Sequence, residues 1–92
     1  MDSDKNRIAP EDVIPSLIFV SEETHELLQL VSNFIKRECI GKNDMTLVSA
    51  LVVNAASMIA VHCQRTGQDY DETAILVRQM FEHSIKIMKE RI

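Results

Sequence analysis

Aromatic residues are scarce in this 92-residue chain, which contains no Trp, one Tyr and three Phe. The hydrophobic share is nevertheless 46%, which is too high for an intrinsically disordered chain. We therefore expect a folded domain with an aliphatic core, built from Leu, Ile, Val, Ala and five Met. A chain of this length is expected to form a single domain.

Glycine, proline and cysteine are almost absent too, with two of each. There is no glycine-rich loop of the kind that holds phosphates or forms an oxyanion turn. The two cysteines, Cys39 and Cys63, fall within predicted helices, so we expect two buried thiols and no disulfide within the chain. The N-terminus has no apolar run behind a basic start, so no signal peptide is expected and the predicted location is cytoplasmic.

A strong charge of either sign is also missing, since the formal net charge is −4. Nucleic acid is not an expected partner, because affinity for phosphates depends on Lys and Arg. The basic residues of the third predicted helix are interleaved with Glu, unlike those of a recognition helix. A DNA-associated transcriptional regulator stays open as the alternative function, because a helix, a short turn and a helix follow one another twice.

The first twenty residues divide into two unlike parts. Residues 1–7 are polar and predict a disordered tail. Residues 8–20 are apolar but contain Pro10 and Pro15, which prevent a long helix. One helical turn can start at Pro10, because proline suits the first helical position. We predict that residues 8–20 form an apolar arm that lies against helices, either of its own chain or of a partner.

Residues 21–92 predict a three-helix domain, so the fold class is all-α. The helix limits follow from side chains that cap free backbone amides, and from glycine, which accepts the left-handed backbone after a helix. Short connections make successive helices antiparallel neighbours. The helices are predicted from Ser21 to about Cys39 with Gly41 as C-cap, from about Asp44 to before Gly67, and from a cap at Asp69 or Asp71 to the C-terminus.

The second predicted helix has no charged residue between Met45 and Cys63. Its small side chains fall on one face and its large ones on another, at about 100° per residue. A helix of an isolated three-helix bundle normally shows a charged face to water. We therefore predict that a second copy covers this helix and completes a homodimeric helical bundle. The predicted dimer interface consists of Ser49, Val53, Ser57 and Ala60.

Asn54 is the most informative polar residue of that helix. An unpaired buried amide costs on the order of 1–3 kcal/mol, so we predict a buried hydrogen bond that fixes the helix register.

The uncharged part of the second predicted helix approaches the ~20 residues needed to cross a bilayer. Asn54, His62, three hydroxyl residues and many Ala make it less apolar than a typical span. No membrane is expected as a partner.

No catalytic, cofactor-binding or metal site is predicted. The spacing Glu22-x-x-His25 occurs once, whereas a di-iron bundle needs this motif twice. His62 and Cys63 are adjacent and point about 100° apart on a helix, so they cannot share one ligand position; a role for either is left open.

We predict a small soluble protein–protein interaction module, a regulatory or adaptor subunit with an unidentified protein partner. A small enzyme is the remaining alternative.

Overall fold

Three α-helices joined by short turns account for most of the chain. The structure is a computed structural model that describes residues 5–13 and 21–91. The described residues contain no β-strand, so the all-α class predicted from the sequence is confirmed. Residues 1–4 of the predicted tail and residues 14–20 of the predicted arm lie outside the described residues. The helices are α1 (Glu22–Glu38), α2 (Asp44–Thr66) and α3 (Tyr70–Arg91).

Helices α1 and α3 begin where side chains accept hydrogen bonds from unpaired backbone amides. The Thr24 amide donates to Ser21 Oγ at 3.2 Å, and the Glu72 amide donates to Asp69 Oδ2 at 2.9 Å. The predicted cap at Ser21 is therefore confirmed. Of the two candidates for α3, Asp69 is the cap, and Asp71 lies within the first turn of the helix.

The cap of α2 is Asn43, which the sequence analysis did not identify. Asn43 Oδ1 accepts from the Thr46 amide at 3.0 Å and from Thr46 Oγ1 at 3.2 Å. We expect Asn43→Ala to lower the free energy of unfolding by about 1 kcal/mol, because alanine leaves these donors unpaired. Urea denaturation at fixed protein concentration measures this change, with Gln79→Ala on the exposed face of α3 as control. Equal losses in both variants would contradict the capping role.

The two glycines sit where the backbone must be left-handed. Gly41 has φ +84° and Gly67 has φ +76°, values that other residues reach only with strain. The Gly67 amide donates to the Cys63 carbonyl at 2.9 Å and closes α2. The predicted Gly41 C-cap of α1 is wrong, because the C-cap is Cys39, whose amide donates to the Ile35 carbonyl at 2.9 Å. The Gly41 amide donates instead to the Ile8 carbonyl at 2.8 Å. The loop after α1 is thereby joined to the N-terminal segment.

The chain divides within α2 into two compact units, and the first of them is Met1–Val48. Arg7 and Asn43 form an isolated antiparallel bridge, and the Ile8 amide donates to the Lys42 carbonyl at 2.9 Å. The Ile8 side chain is only 6% exposed. Ordered contact with the loop is therefore present from Arg7, one residue before the predicted start of the arm.

The face of α1 that packs in this first unit carries residues three to four apart. Ser32 and Cys39 are buried, and Leu28 and Ile35 are half-buried. The segment that follows Ile8 forms a 3-10 turn at Pro10–Asp12 with proline at its start, as predicted. Unit 1 thus has a small core in which a serine and a thiol accompany the aliphatic side chains.

The second unit, Ser49–Ile92, contains the rest of α2 and α3, joined as a helical hairpin. Cys63 is 2% exposed and is the most deeply buried side chain of the described residues. Its Sγ lies 4.0 Å from the Asp69 carbonyl, beneath the turn. Ile59 and Val77 are half-buried. The hairpin therefore buries little between its helices, and both cysteines are buried free thiols, as predicted.

Candidate functional site

Helix α2 is apolar and almost entirely exposed. Of its 23 residues, all of which the structure describes, Cys63 alone is buried. Val53 is 66% exposed and Met58 is 72% exposed, and no charged residue lies between Met45 and Gln64. Large apolar patches on soluble proteins mark surfaces that bind another molecule. The main candidate site is therefore a surface rather than a pocket.

The four residues predicted for the dimer interface share one exposed strip of α2, which we call the small stripe. Ser49, Val53, Ser57 and Ala60 fall within about 80° of one another around the helix axis, and all four are exposed. The strip lies roughly a quarter turn away from Cys63, which faces α3. The structure thus brings the predicted residues together on a surface that a second chain can reach.

Asn54 is exposed in the single chain. It lies on α2 beside the small stripe, about 60° beyond Ser57 around the axis. Burial of its amide, as predicted, therefore depends on a second chain and stays a prediction.

Helix α3 is apolar over about half of its circumference, which is wider than the hairpin contact. Val77 and Met88 are half-buried near the middle of this arc. Leu76 and Met80 are exposed on one side of it, and Phe81 is exposed on the other. The hairpin therefore has an apolar surface on each side of the line where its helices meet.

A groove of about 350 Å³ runs along the Phe81 side of the hairpin, and we call it the hairpin groove. Three of its lining residues are alanines, whose short side chains leave the groove open toward the helix backbones. Arg78 is the charged residue among the described residues that line it, and Arg78 Nε lies 3.5 Å from Glu82 Oε1. The lining residues are Val52, Ala55, Ala56, Ile59, Ala74, Val77, Arg78 and Phe81.

A second depression, of about 510 Å³, lies on the side of α2 turned away from α3. His62 Nε2 is 2.9 Å from Gln68 Oε1, and Thr66 Oγ1 donates to the His62 carbonyl at 2.8 Å. The contact with Gln68 ties the His62 ring to the turn after α2, whereas the bond from Thr66 lies within the last turn of the helix. The lining residues all belong to this one helix: Ser57, Met58, Val61, His62, Arg65 and Thr66.

A third depression, of about 450 Å³, lies in the first unit between α1 and the N-terminal segment. Its lining includes Ile8, Leu28 and Leu47, with Asp44 at its edge. Asp44 Oδ1 is buried and accepts no hydrogen bond from the residues that the structure describes. The carboxylate stands in the first turn of α2, where the positive end of the helix dipole offsets its charge.

Reactive groups are dispersed in the part of the chain that the structure describes. No three His, Cys, Asp or Glu side chains come together there in a way that could hold a metal ion. His25 and His83 are exposed on α1 and α3. The thiols of Cys39 and Cys63 are buried, whereas a reactive thiol needs access to its substrate.

Helix α1 carries an exposed apolar strip that the sequence analysis did not separate from the rest of its apolar arc. Leu27, Leu30, Val31 and Phe34 are all exposed, and Leu30 reaches 65%. We call these four residues the α1 stripe. It lies about 120° around the axis from the packed face that carries Ser32. The Arg37 guanidinium stands 5.9 Å from the centre of the Phe34 ring, within range of a cation–π contact.

By length and composition alone, α2 could span a lipid bilayer. An 18-residue window of it has a mean hydropathy of 1.8, and 6% of that window is buried. The same pattern is found in an apolar helix of a soluble protein, so length and composition do not decide between the two environments.

No protein-family profile matches the chain, and comparisons with curated proteins and with solved structures find no similar protein.

Proposed function

We propose that this chain is a small soluble interaction module that works as a homodimer, in which two α2 helices cross at their small stripes. The observation that carries this proposal is the amount of apolar surface that the single chain exposes. In the second unit alone, the exposed large apolar residues are Leu51, Val52, Val53, Met58, Val61, Tyr70, Ile75, Leu76, Met80, Phe81 and Ile85.

The exposed area is large enough for a stable interface. Burying one such side chain contributes about 1.5–3 kcal/mol at ~25 cal/mol per Å², which corresponds to roughly 60–120 Å² apiece. The exposed apolar residues of the hairpin therefore present on the order of 1,000 Å². A standard interface buries about 800 Å² per partner.

The small stripe suits a contact between identical helices. Small side chains let two backbones approach closely, and a two-fold axis brings the same patch of both chains together, so that every contact between two residues is made twice. Asn54 at the border of such a crossing would form the buried hydrogen bond that sets the register.

The N-terminal arm, residues 8–20, belongs to the folded module in this proposal. The backbone pairing of Ile8 with the loop before α2 supports this, as does the half-buried Val13 that follows the 3-10 turn. Residues 14–20 lie outside the described residues. Their composition favours burial against helices.

We further propose that the dimer acts in the cytoplasm as a regulatory or adaptor subunit, by contact rather than by catalysis. Half of α1 and half of α3 are polar, with charged residues such as Glu26, Lys86 and Glu90 exposed. Such faces support a water-soluble assembly. The polar groups of α2, Asn54 and His62 among them, disfavour hydrocarbon as its environment.

We expect the purified protein to have about twice the mass of one 10.5 kDa chain in solution. A second copy removes apolar surface from water, so the dimer should be present at micromolar concentration without detergent. Size-exclusion chromatography with light scattering measures this mass. A stable 10.5 kDa species would contradict the homodimer, and protein that enters vesicles or stays soluble only in detergent would favour the membrane.

A further inference from the structure

We propose that the α1 stripe of each protomer docks in the hairpin groove of its partner. We call this reciprocal docking the exchange. This inference rests on the homodimer proposed above. It assigns an occupant to two apolar surfaces that are both exposed in the single chain.

The spacing of the α1 stripe is that of a helix which binds in a groove. Its residues stand at positions i, i+3, i+4 and i+7, the pattern of anchors that helical ligands use. Leu27, Leu30 and Phe34 are all large, and the opposite face of α1 is already packed in its own unit. The stripe is therefore available to another chain.

The hairpin groove has the shape that such a helix requires. Ala55, Ala56 and Ala74 leave its floor low, so that a helix backbone can come close. Val52 of α2 and Phe81 of α3 also line it, and both side chains are exposed. Apolar anchors from α1 would replace water there, and each buried anchor contributes about 1.5–3 kcal/mol before the costs of association.

The charges at the edges of the two surfaces are complementary. Arg78 lines the groove, and its present partner is the Glu82 carboxylate in an exposed ion pair, which is worth little. Glu23 and Glu26 flank the first half of the α1 stripe and are exposed. A docked α1 can bring one of these carboxylates to the guanidinium, which would favour one direction of the helix in the groove.

A second copy is the occupant that fits these observations best. Both complementary surfaces occur on one chain, so a two-fold axis forms the contact twice. The groove and the small stripe use different residues of α2, which lie about 100° apart around its axis.

Chemical cross-linking between two differently tagged chains tests this exchange. One chain carries Leu30→Cys and the other Ala55→Cys, and the two are mixed, allowed to exchange subunits and treated with a short bismaleimide. The native cysteines are buried, so the unsubstituted protein sets the background. We expect a covalent heterodimer in about tenfold or greater excess over a matched control, because docking raises the effective concentration of the pair. In that control, Lys36→Cys on the other side of α1 replaces Leu30→Cys.

The other results overturn the exchange. Cross-linking within a doubly substituted chain would mean that α1 docks in its own hairpin. An excess of links between two Leu30→Cys chains would mean that the stripes pair with each other, and a yield equal to the Lys36→Cys control would leave the groove unoccupied by α1. Light scattering on the same samples separates these failures from failure of the homodimer itself, which would show as a mass of 10.5 kDa.

Discussion

Replacing Ala60 with tryptophan is expected to dissociate the dimer at concentrations where the unsubstituted protein is fully dimeric. A bulky side chain in a close helix contact costs about 1–3 kcal/mol, and the two-fold axis introduces it twice. At about 1.4 kcal/mol per tenfold change, the dissociation constant should rise roughly 30-fold to 20,000-fold. Ser57→Trp should act in the same direction, because it lies on the same exposed strip.

The chain contains no other tryptophan, so each variant carries a single fluorescent reporter of its own surroundings. Dilution series followed by light scattering give the dissociation constants. Lys86→Trp, on the polar half of α3, is the matched control, and its effect should stay within about twofold, as for surface substitutions in general. If Lys86→Trp weakens association as much as Ala60→Trp does, the small stripe is not the contact.

Truncating Ile8 is expected to cause the largest loss of stability of any single side chain among the described N-terminal residues 5–13. Ile8 is 6% exposed, and its backbone pairs with the loop that connects α1 to α2. Ile8→Ala should lower the free energy of unfolding by about 2–5 kcal/mol, because it removes buried methyl groups and leaves a cavity. Urea denaturation at one fixed protein concentration measures this, since dissociation also affects the midpoint.

Glu11→Ala is the control for Ile8→Ala, because Glu11 is exposed on the 3-10 turn nearby. Deleting residues 1–20 should cost more than Ile8→Ala, whereas deleting residues 1–4 of the predicted tail should cost little. Should the longer deletion melt like the intact chain and remain soluble, the arm is not part of the fold.

Helix limits could be predicted well from sequence because they depend on local chemistry. Ser21 and Asp69 cap the N-termini of α1 and α3 with their own side chains. Gly41 and Gly67 adopt the left-handed backbone within a few residues of the C-terminal ends of α1 and α2. Asn43 was missed as a cap although its residue type favours one. The charged neighbour Asp44 is an equally good candidate by type, and only the hydrogen bond to Thr46 distinguishes them.

The faces that become buried could not be predicted in the same way. The apolar arc of α1 covers about half of its surface, and periodicity does not say which part of so wide an arc meets a neighbour. In the structure, Ser32 is buried while Leu27, Leu30 and Phe34 are exposed. Packing against the Ile8 segment decides this, and that contact joins residues distant in sequence.

The candidate surface was predicted in part. The small stripe follows from side-chain size along one helix, so the sequence alone identifies it. The hairpin groove depends on how α2 and α3 are rotated against each other, which no single-helix pattern contains. The alanines Ala55, Ala56 and Ala74 were a usable signal, because small residues on two neighbouring helices indicate a depression where those helices meet.

Each compact unit of this chain hides one thiol, Cys39 in the first and Cys63 in the second. A buried thiol reacts with an alkylating reagent only while its surroundings are open, so its labelling rate reports how often that part of the fold opens. Both rates can be measured in one molecule without any substitution. Equal rates would indicate that the two units, which share α2, open together, and unequal rates would indicate that each unit opens separately.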